Sequence, residues 1–370
     1  MSYRVAITGA QGFIGRNAAM QLRDTPDIEV VEFSRDTSID RFYDEVKTCE
    51  ALIHLAGVNR SQDDNEFFEV NLRLTEKITH FLRDHHRIPV FFASSILAGT
   101  HSPYGQSKQA AEEVLLEYQR ETGIPVRVVR LPNVFGKWSR PNYNSVVATF
   151  AHNVARGVSI EVADRSHRLT LVYVDDLIAT LIRDIKSRFL AASFELEPQY
   201  VVTVGELADS LLEIHRKRVN GEVLDVGSGL LRALHATYTS FLQPSEFSYS
   251  LIPHTDSRGS FVEFLKTSNV GQISFFTSKP GIKRGSHYHH TKSEKFVVTH
   301  GNALFRFRSL SDGTRHEVEV SAATPTVVES IPGWVHEIVN VGHDDLSVMV
   351  WANEVFDRAR PDTFEEVISE

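Results

Sequence analysis

Two groups of residues in this chain have the types and spacing that do chemistry. In the first, residues 91–108 (FFASSILAGTHSPYGQSK), a hydrophobic run ends in Ser94 and Ser95, and Tyr104 and Lys108 follow four residues apart where a helix is expected to begin. Residues i and i+4 share a helix face, so the Lys108 ammonium is expected near the Tyr104 phenol, lowering a pKa that starts at about 10. Tyr104 can then exchange a proton with a substrate oxygen held by the hydroxyl of Ser95 or its neighbour Ser94. A nicotinamide alongside would give or take hydride. The chemistry implied is carbonyl/alcohol redox. A Tyr-x-x-x-Lys pair by itself is equally well a helix surface pair, so this reading depends on a nucleotide-binding start elsewhere in the chain.

The second group is residues 281–294 (GIKRGSHYHHTKSE) together with residues 332–336 (PGWVH). His287 and His289 alternate, as on one face of a strand, and Glu294 and His336 are expected from neighbouring strands. Three imidazoles and one carboxylate converging inside a barrel make a metal site, with zinc the first choice among divalent ions. The alternative is a barrel that carries these side chains without a metal.

The elements that would position the first group are legible upstream of it. Tyr3 to Thr8 is a short apolar strand that runs into Gly9, Gly12, Phe13, Ile14 and Gly15, and then into a helix ending near Asp24. In this G-x-x-G-x-x-G turn, glycines allow a tight bend, close approach of a pyrophosphate to backbone amides at a helix N-terminus, and close helix–strand packing. The next strand, Ile28 to Phe33, ends in Ser34 and Arg35. A guanidinium there suits a 2′-phosphate, which favours NADPH, whereas nearby Glu32 would suit the ribose hydroxyls of NAD. A third strand, Ala51 to Leu55, opens into Ala56 and Gly57, small enough to let the backbone pass a cofactor. A helix with Phe68, Leu72, Thr75, Ile78, Phe81 and Leu82 on an apolar stripe follows, and a fifth strand, Val126 to Leu131, leads to Asn133.

At 370 residues two domains are expected, 1–243 and 244–370, with the break in the turn-rich stretch around Pro244. Beyond it, short alternating segments (261–264, 272–277, 295–299, 303–308, 316–320, 346–351) predict an antiparallel barrel. A net charge of −9 argues against nucleic acid or an anionic membrane as partner. The single cysteine, Cys49, excludes an internal disulfide, no apolar run is long enough to span a bilayer, and the first residues read as a strand rather than a secretion signal. The expected location is cytoplasmic.

The pieces GAQGFIG, HLAG, FFASS, YGQSK, RLPNVFG and VYVDDL, within roughly the first 240 residues, resemble the extended short-chain dehydrogenases/reductases of the sugar-nucleotide branch. That resemblance implies a Rossmann-type doubly wound parallel sheet, NADPH contacts at the positions named above including Leu131, and a UDP-sugar facing Asn133, Arg140, Asn142 and Arg168, each of which reads equally as a solvated loop residue. It also implies a homodimer through the helix of Phe68 and Leu82 and the similar helix after Tyr104, whose stripe is Ala110, Ala111, Val114, Leu115 and Tyr118. Family members that dehydrate a sugar carry acidic residues directly after the strand-end hydroxyl. Here Ile96, Leu97 and Ala98 follow Ser95, which favours a reductase or epimerase.

The second group resembles the cupin (jelly-roll) superfamily. In finer detail, residues 256–263, 284–288 and 331–336 resemble deoxysugar 3,5-epimerases, cupins in which the histidine matching His287 is the base and no metal is needed. His287 is thus candidate ligand and candidate base, with Arg284, Tyr288 and Lys295 as nearby acid/base or anion-binding candidates. Both halves together are similar to a family of bifunctional capsular-polysaccharide enzymes. There, a cupin epimerises C3 of a UDP-2-acetamido-2,6-dideoxy-4-keto-hexose and a reductase converts it to the L-talose product of the L-N-acetylfucosamine pathway. The other reading is a single-activity reductase carrying a noncatalytic sensing or oligomerising cupin.

Overall fold

The computed structural model describes residues 2–191, 193–246, 250–267, 269–290, 292–359 and 361–368. Two compact units emerge. One comprises Met1–Leu212 with Arg232–Leu242, the other Glu213–Leu231 with Gln243–Glu370.

The first unit is built on a parallel sheet of β1 (Tyr3–Thr8), β2 (Ile28–Phe33), β3 (Ala51–His54), β4 (Val90–Ser95) and β5 (Val126–Leu131), ordered β2-β1-β3-β4-β5. Buried on both faces, the inner strands β1, β3 and β4 are largely apolar runs, β3 along its whole length, whereas the edge strands β2 and β5 carry Glu29, Glu32, Arg127 and Arg130. Between them run α1 (Phe13–Arg23), α2 (Ile39–Val46), α3 (Asp64–Phe67) with its continuation, and α5 (Pro103–Thr122). The continuation of α3 is a π-helical stretch, Phe68–Arg73, followed by α4 (Leu74–His85). The wider π turn rotates the apolar stripe expected there. Phe67 and Asn71 are buried, while Phe68 and Leu72 are only half-buried. The core beneath joins Phe33, Phe42, Leu52, Ile78, Phe92, Leu115 and Tyr118.

A second, three-stranded sheet holds β6 (Asn133–Phe135), β7 (Arg168–Tyr173) and β8 (Tyr200–Thr203). The remaining helices of this part of the chain are α6 (Val146–Ala155), α7 (Val174–Lys186), which packs on β7, α8 (Val204–Val219) and, after the two-residue β9 (Glu222–Val223), α9 (Gly229–Thr239). Glu222 and Val223 pair with a strand of the second unit, which is why 213–231 group with it.

The second unit is two mostly antiparallel sheets. One contains β10 (Pro253–Asp256), β11 (Gly259–Thr267), β12 (Gln272–Ser278), β19 (Leu346–Ala352), β14 (Glu294–His300) and β17 (Val327–Ser330), in that order. The other contains β16 (Arg315–Ser321), β15 (Asn302–Ser309), β18 (Trp334–Asn340), β13 (Lys283–Tyr288) and β20 (Phe364–Glu365). Strict alternation, as in β12 and β15, sends Phe276, Phe305 and Phe307 inward to meet Phe296, Val348 and Val350.

Candidate active sites

In the first unit a cavity of about 710 Å³ opens at the carboxyl ends of β1, β3, β4 and β5, where an open α/β sheet binds its ligand. Its floor is the glycine turn. A methyl group on Gly15 would stand 2.1 Å from the Gly9 carbonyl oxygen, and one on Gly9, whose φ is +70°, would stand 2.7 Å from the Ala56 amide nitrogen. Gly12 caps α1 without any side-chain hydrogen bond, so the first-turn amides are available to an anion. These features fit a dinucleotide. Phe13, Ile14, Leu55, Gly57 and Leu131 would hold it with the three glycines, all lining the cavity.

Tyr104, in the first turn of α5, and Lys108, one turn on, line the same wall with Ser95. Ser102 caps the helix by accepting from the Gly105 amide at 3.0 Å, and its partner Pro103 starts it. The two strand-end serines part company here. Ser94 is hydrogen-bonded to the buried Glu112, whereas the Ser95 hydroxyl accepts from the Leu97 amide at 3.1 Å and lines the cavity with Tyr104. Burial raises the Tyr104 pKa above 10, and nearby Ser95 opposes it. This corrects the expectation that Lys108 pulls the phenol down. The Lys108 ammonium instead donates to the Ala93 carbonyl at 2.7 Å and lies 4.0 Å from the centre of the Phe92 ring. Burial lowers Lys108 itself to about 7, against the opposing charge of Glu112. Beneath them His54 sits between Thr8 (2.7 Å) and Thr75 (3.0 Å), and burial holds it neutral, with a pKa lowered to about 3.

Asn133 and Arg140 line the cavity, while Asn142 and Arg168 are exposed and are not among its lining residues. Asn142 has its backbone amide on Thr149, and Arg168 starts β7 near Glu206. Ser34, Arg35 and Ala56 also fall outside the lining. Ala56 backs the glycine turn through Thr8, and Arg35 is exposed at the end of β2. Glu32 is paired with Arg23 on α1. Sequence reasoning missed Asn71, which the π turn buries so that it clasps both the amide (2.8 Å) and the carbonyl (3.0 Å) of Val58 and reaches Ser107. No sequence signal marks that turn.

The second unit holds a cavity of about 300 Å³ lined by His287, Glu294, His336, Arg284, Glu263, Lys292 and Glu354, among others. The ligand atoms of His287, His289, Glu294 and His336 all lie within 4.8 Å of one another. His336 comes from a neighbouring strand as expected, whereas Glu294 and His289 do not sit as expected. His287 faces His336 across the β13–β18 ladder, His289 follows the end of β13, and Glu294 comes from β14 in the opposite sheet. A bulge with Ser286 at φ +66° turns His287 inward.

The donor set fits a divalent cation. His289 Nδ1 donates to the Asp362 carbonyl at 2.6 Å, and His336 Nδ1 is 2.9 Å from the Ser330 hydroxyl. The two Nε2 atoms face one Glu294 oxygen at 3.2 and 3.3 Å. A neutral His289 would turn a lone pair toward that carboxylate, so the geometry calls for a shared proton or a metal ion. Contact with both imidazoles holds the Glu294 carboxyl well below its usual range despite burial. Burial and the neighbouring His336 lower His287 to about 3.

Two candidates lie elsewhere. Lys295 points out of the barrel, half-exposed and paired with Glu329, because its neighbour Glu294 takes the inward direction. Tyr288 is not in the cavity lining and stacks on Phe364, ring centres 5.3 Å apart. The lysine in the cavity is instead Lys292, 5% exposed, donating to Thr363 (2.9 Å) and the Pro361 carbonyl (3.2 Å).

A parallel sheet with a glycine turn and a Ser-Tyr-Lys centre, followed by a cupin-like double sheet with a His/Glu cluster, defines a Rossmann-type oxidoreductase fused to a cupin domain. The NAD dependent epimerase/dehydratase family matches residues 5–188, and the polysaccharide biosynthesis C-terminal domain matches residues 254–364. A UDP-2-acetamido-2,6-beta-L-arabino-hexul-4-ose reductase of Pseudomonas aeruginosa is 47% identical over 98% of both chains. The crystal structure of the capsular polysaccharide assembling protein CapF of Staphylococcus aureus superposes with a TM-score of 0.90 at 39% identity, covering 98% of this chain and 100% of that one. A UDP-glucose 4-epimerase of Thermus thermophilus in complex with NAD, at 19% identity and TM-score 0.53 over 64% of this chain and 98% of that one, shares the fold of the first unit. The chain belongs to the CapF family of two-domain epimerase/dehydratase-type proteins. Membership implies a nicotinamide cofactor.

Proposed function

We propose that this protein is a bifunctional UDP-sugar enzyme. The barrel epimerises C3 of a UDP-2-acetamido-2,6-dideoxy-4-keto-hexose, and the first unit then reduces C4 with NADPH to give UDP-2-acetamido-2,6-dideoxy-L-talose for capsule or O-antigen synthesis. The observation that carries this reading is the gathering of Ser95, Tyr104 and Lys108 on the wall of a glycine-floored cavity, in a chain 47% identical to a protein named as a hexulose reductase.

Chemistry sets the order. A base can remove the C3 proton only while C4 is a ketone, because the electron pair left on C3 must delocalise onto the C4 oxygen as an enolate. A proton returned to the opposite face of C3 inverts it with no net change in composition. Reduction at C4 closes that route, so the barrel acts first. His287 is assigned as the base, since its ring faces the cavity while His289 and His336 have their Nδ1 atoms anchored. The cations Arg284 and Lys292 line the same cavity and would stabilise the enolate. His289, Glu294 and His336 would hold a zinc ion, with His287 as fourth ligand when it is not acting as base.

In the first unit the nicotinamide supplies hydride to C4. Tyr104 gives its proton to the C4 oxygen, and Ser95 donates a hydrogen bond to that oxygen. Arg35, free of the Glu32–Arg23 pair, would meet the 2′-phosphate of NADPH. The enzyme is assigned to the cytoplasm as a homodimer.

A second reading, a single-activity reductase with a noncatalytic cupin, draws on the outward placement of Lys295 and Tyr288. Proton NMR of the product formed from the 4-keto sugar nucleotide with NADPH, with NADH and with neither decides between them. A C3-inverted C4 alcohol, formed with NADPH, supports the bifunctional reading. A C4 alcohol of unchanged C3 configuration supports the other.

A further inference from the structure

The wall that carries Tyr104 and Lys108 continues one helical turn further. Tyr104, Lys108 and Glu112 follow at i, i+4 and i+8 on α5, and Glu112 is 5% exposed. A buried carboxylate needs partners, and Glu112 has two of different kinds. Ser94, from the end of β4, hydrogen-bonds to one of its oxygens. Arg130, from β5, donates at 3.0 Å to one oxygen and at 2.7 Å to the other. The same strand end takes the Lys108 ammonium on the Ala93 carbonyl and sets Ser95 on the cavity wall with Tyr104.

We propose that Glu112 is a positioning residue of the reduction centre: it ties Ser94, and with it the strand end that carries Ser95, to α5, and it sets a buried carboxylate one turn from Lys108 on the same helix face. The proposal rests on the reductase reading of this cavity. The charged and titratable groups facing Lys108 are Tyr104 and Glu112 on its own helix, His54 on β3, and Arg130 on β5 behind Glu112. His54 is neutral, so among these groups Glu112 is the one that favours the ammonium, and Arg130 partly cancels it. A neutral Lys108 would remove the ammonium that lies one turn along the same helix face from Tyr104, on the cavity wall where the tyrosine gives up its proton. Burial alone drives Lys108 toward that neutral form.

The two partners of Glu112 give variants with opposite signs. The lysine Cε signals of the full-length chain, labelled with 13C-lysine and read without cofactor or substrate, report the Lys108 titration, the signal being identified by its loss in Lys108→Arg. Glu112→Gln keeps the size and loses the charge, and should move the Lys108 midpoint down by about one pH unit. Arg130→Gln should move it up, and Glu112→Asp should stay near wild type. In turnover, Glu112→Gln should cut kcat about tenfold on the alkaline side of the profile and little on the acid side, with KM nearly constant. An unshifted Lys108 midpoint in Arg130→Gln overturns the proposal even if Glu112→Gln fails to fold, as does a loss in Glu112→Gln that is uniform in pH. Wild-type protein that reduces no keto sugar rejects the reductase reading alone, because the lysine titration is still read.

Discussion

The two sites are built in opposite ways. In the first unit, backbone does most of the work: the glycine turn, the uncapped start of α1 and the end of β4 shape the cavity, and the side chains proposed to react, Ser95, Tyr104 and Lys108, lie within 14 residues on β4 and the first turns of α5. In the barrel, side chains converge from facing sheets, His287 and His336 from one and Glu294 from the other. A site made of local backbone can lose one side chain and keep its cavity. A site made by convergence depends on each strand's inward or outward phase.

That difference predicts unequal effects. The largest is Tyr104→Phe, which removes the proposed proton donor. NADPH oxidation should fall by about 10³-fold, followed at 340 nm, with Tm unchanged. In the barrel, His289→Ala should weaken metal binding about 10- to 100-fold, as metal content after dialysis would report, because it removes a ligand already oriented by the Asp362 carbonyl. Retention of full metal content would remove His289 from the ligand set, and wild-type protein without metal would mean that the His/Glu cluster is held together by shared protons.

Backbone dependence has its own test in Gly15→Ala. The added methyl would collide with the Gly9 carbonyl at 2.1 Å, so stability should fall by about 1–3 kcal/mol and NADPH binding should be lost, measured by denaturant unfolding and calorimetry. A further test separates the units by pH. The folded pKa of His54 is lowered, to about 3, so the unfolded chain binds the extra proton. Its contribution is fully present above about pH 6.5 and is lost as pH falls, by up to about 1.4 kcal/mol per pH unit, down to the folded pKa. His54→Gln should flatten the acid slope of first-unit stability and leave that of the barrel unchanged. The smallest effect is Arg35→Ala, expected to weaken NADPH by about 1 kcal/mol and NADH hardly at all. Equal losses would remove Arg35 from cofactor selection.

The same contrast explains what the sequence made legible. A parallel sheet buried on both faces writes itself as apolar runs, and Gly9, Gly12, Gly15, Tyr104 and Lys108 sit at spacings whose geometry is local, so element positions and the pairing of motif with strand end could be read directly. What a side chain does once placed could not. Burial, rather than Lys108, dominates Tyr104, and Ser94 differs from Ser95 only through Glu112 and Arg130, 18 and 36 residues away in the chain. In the barrel the His/Glu motif was visible, but the phase of β14 was not: Glu294 turns in, so Lys295 turns out, and Lys292 from the preceding turn fills the cavity instead. The bulge at Ser286 and the π turn at Asn71 change phase in the same way, and neither leaves a composition signal.

The central claim is that the barrel performs proton chemistry on the keto sugar before the first unit reduces it. Proton NMR in heavy water without NADPH tests it most directly, by following the C3 hydrogen of the 4-keto substrate with wild-type, Tyr104→Phe and His287→Ala proteins. Exchange at the wild-type rate in Tyr104→Phe, and its loss in a folded, metal-bearing His287→Ala, is the predicted result. Exchange that persists in His287→Ala and disappears in Tyr104→Phe would contradict it and place the proton chemistry in the first unit.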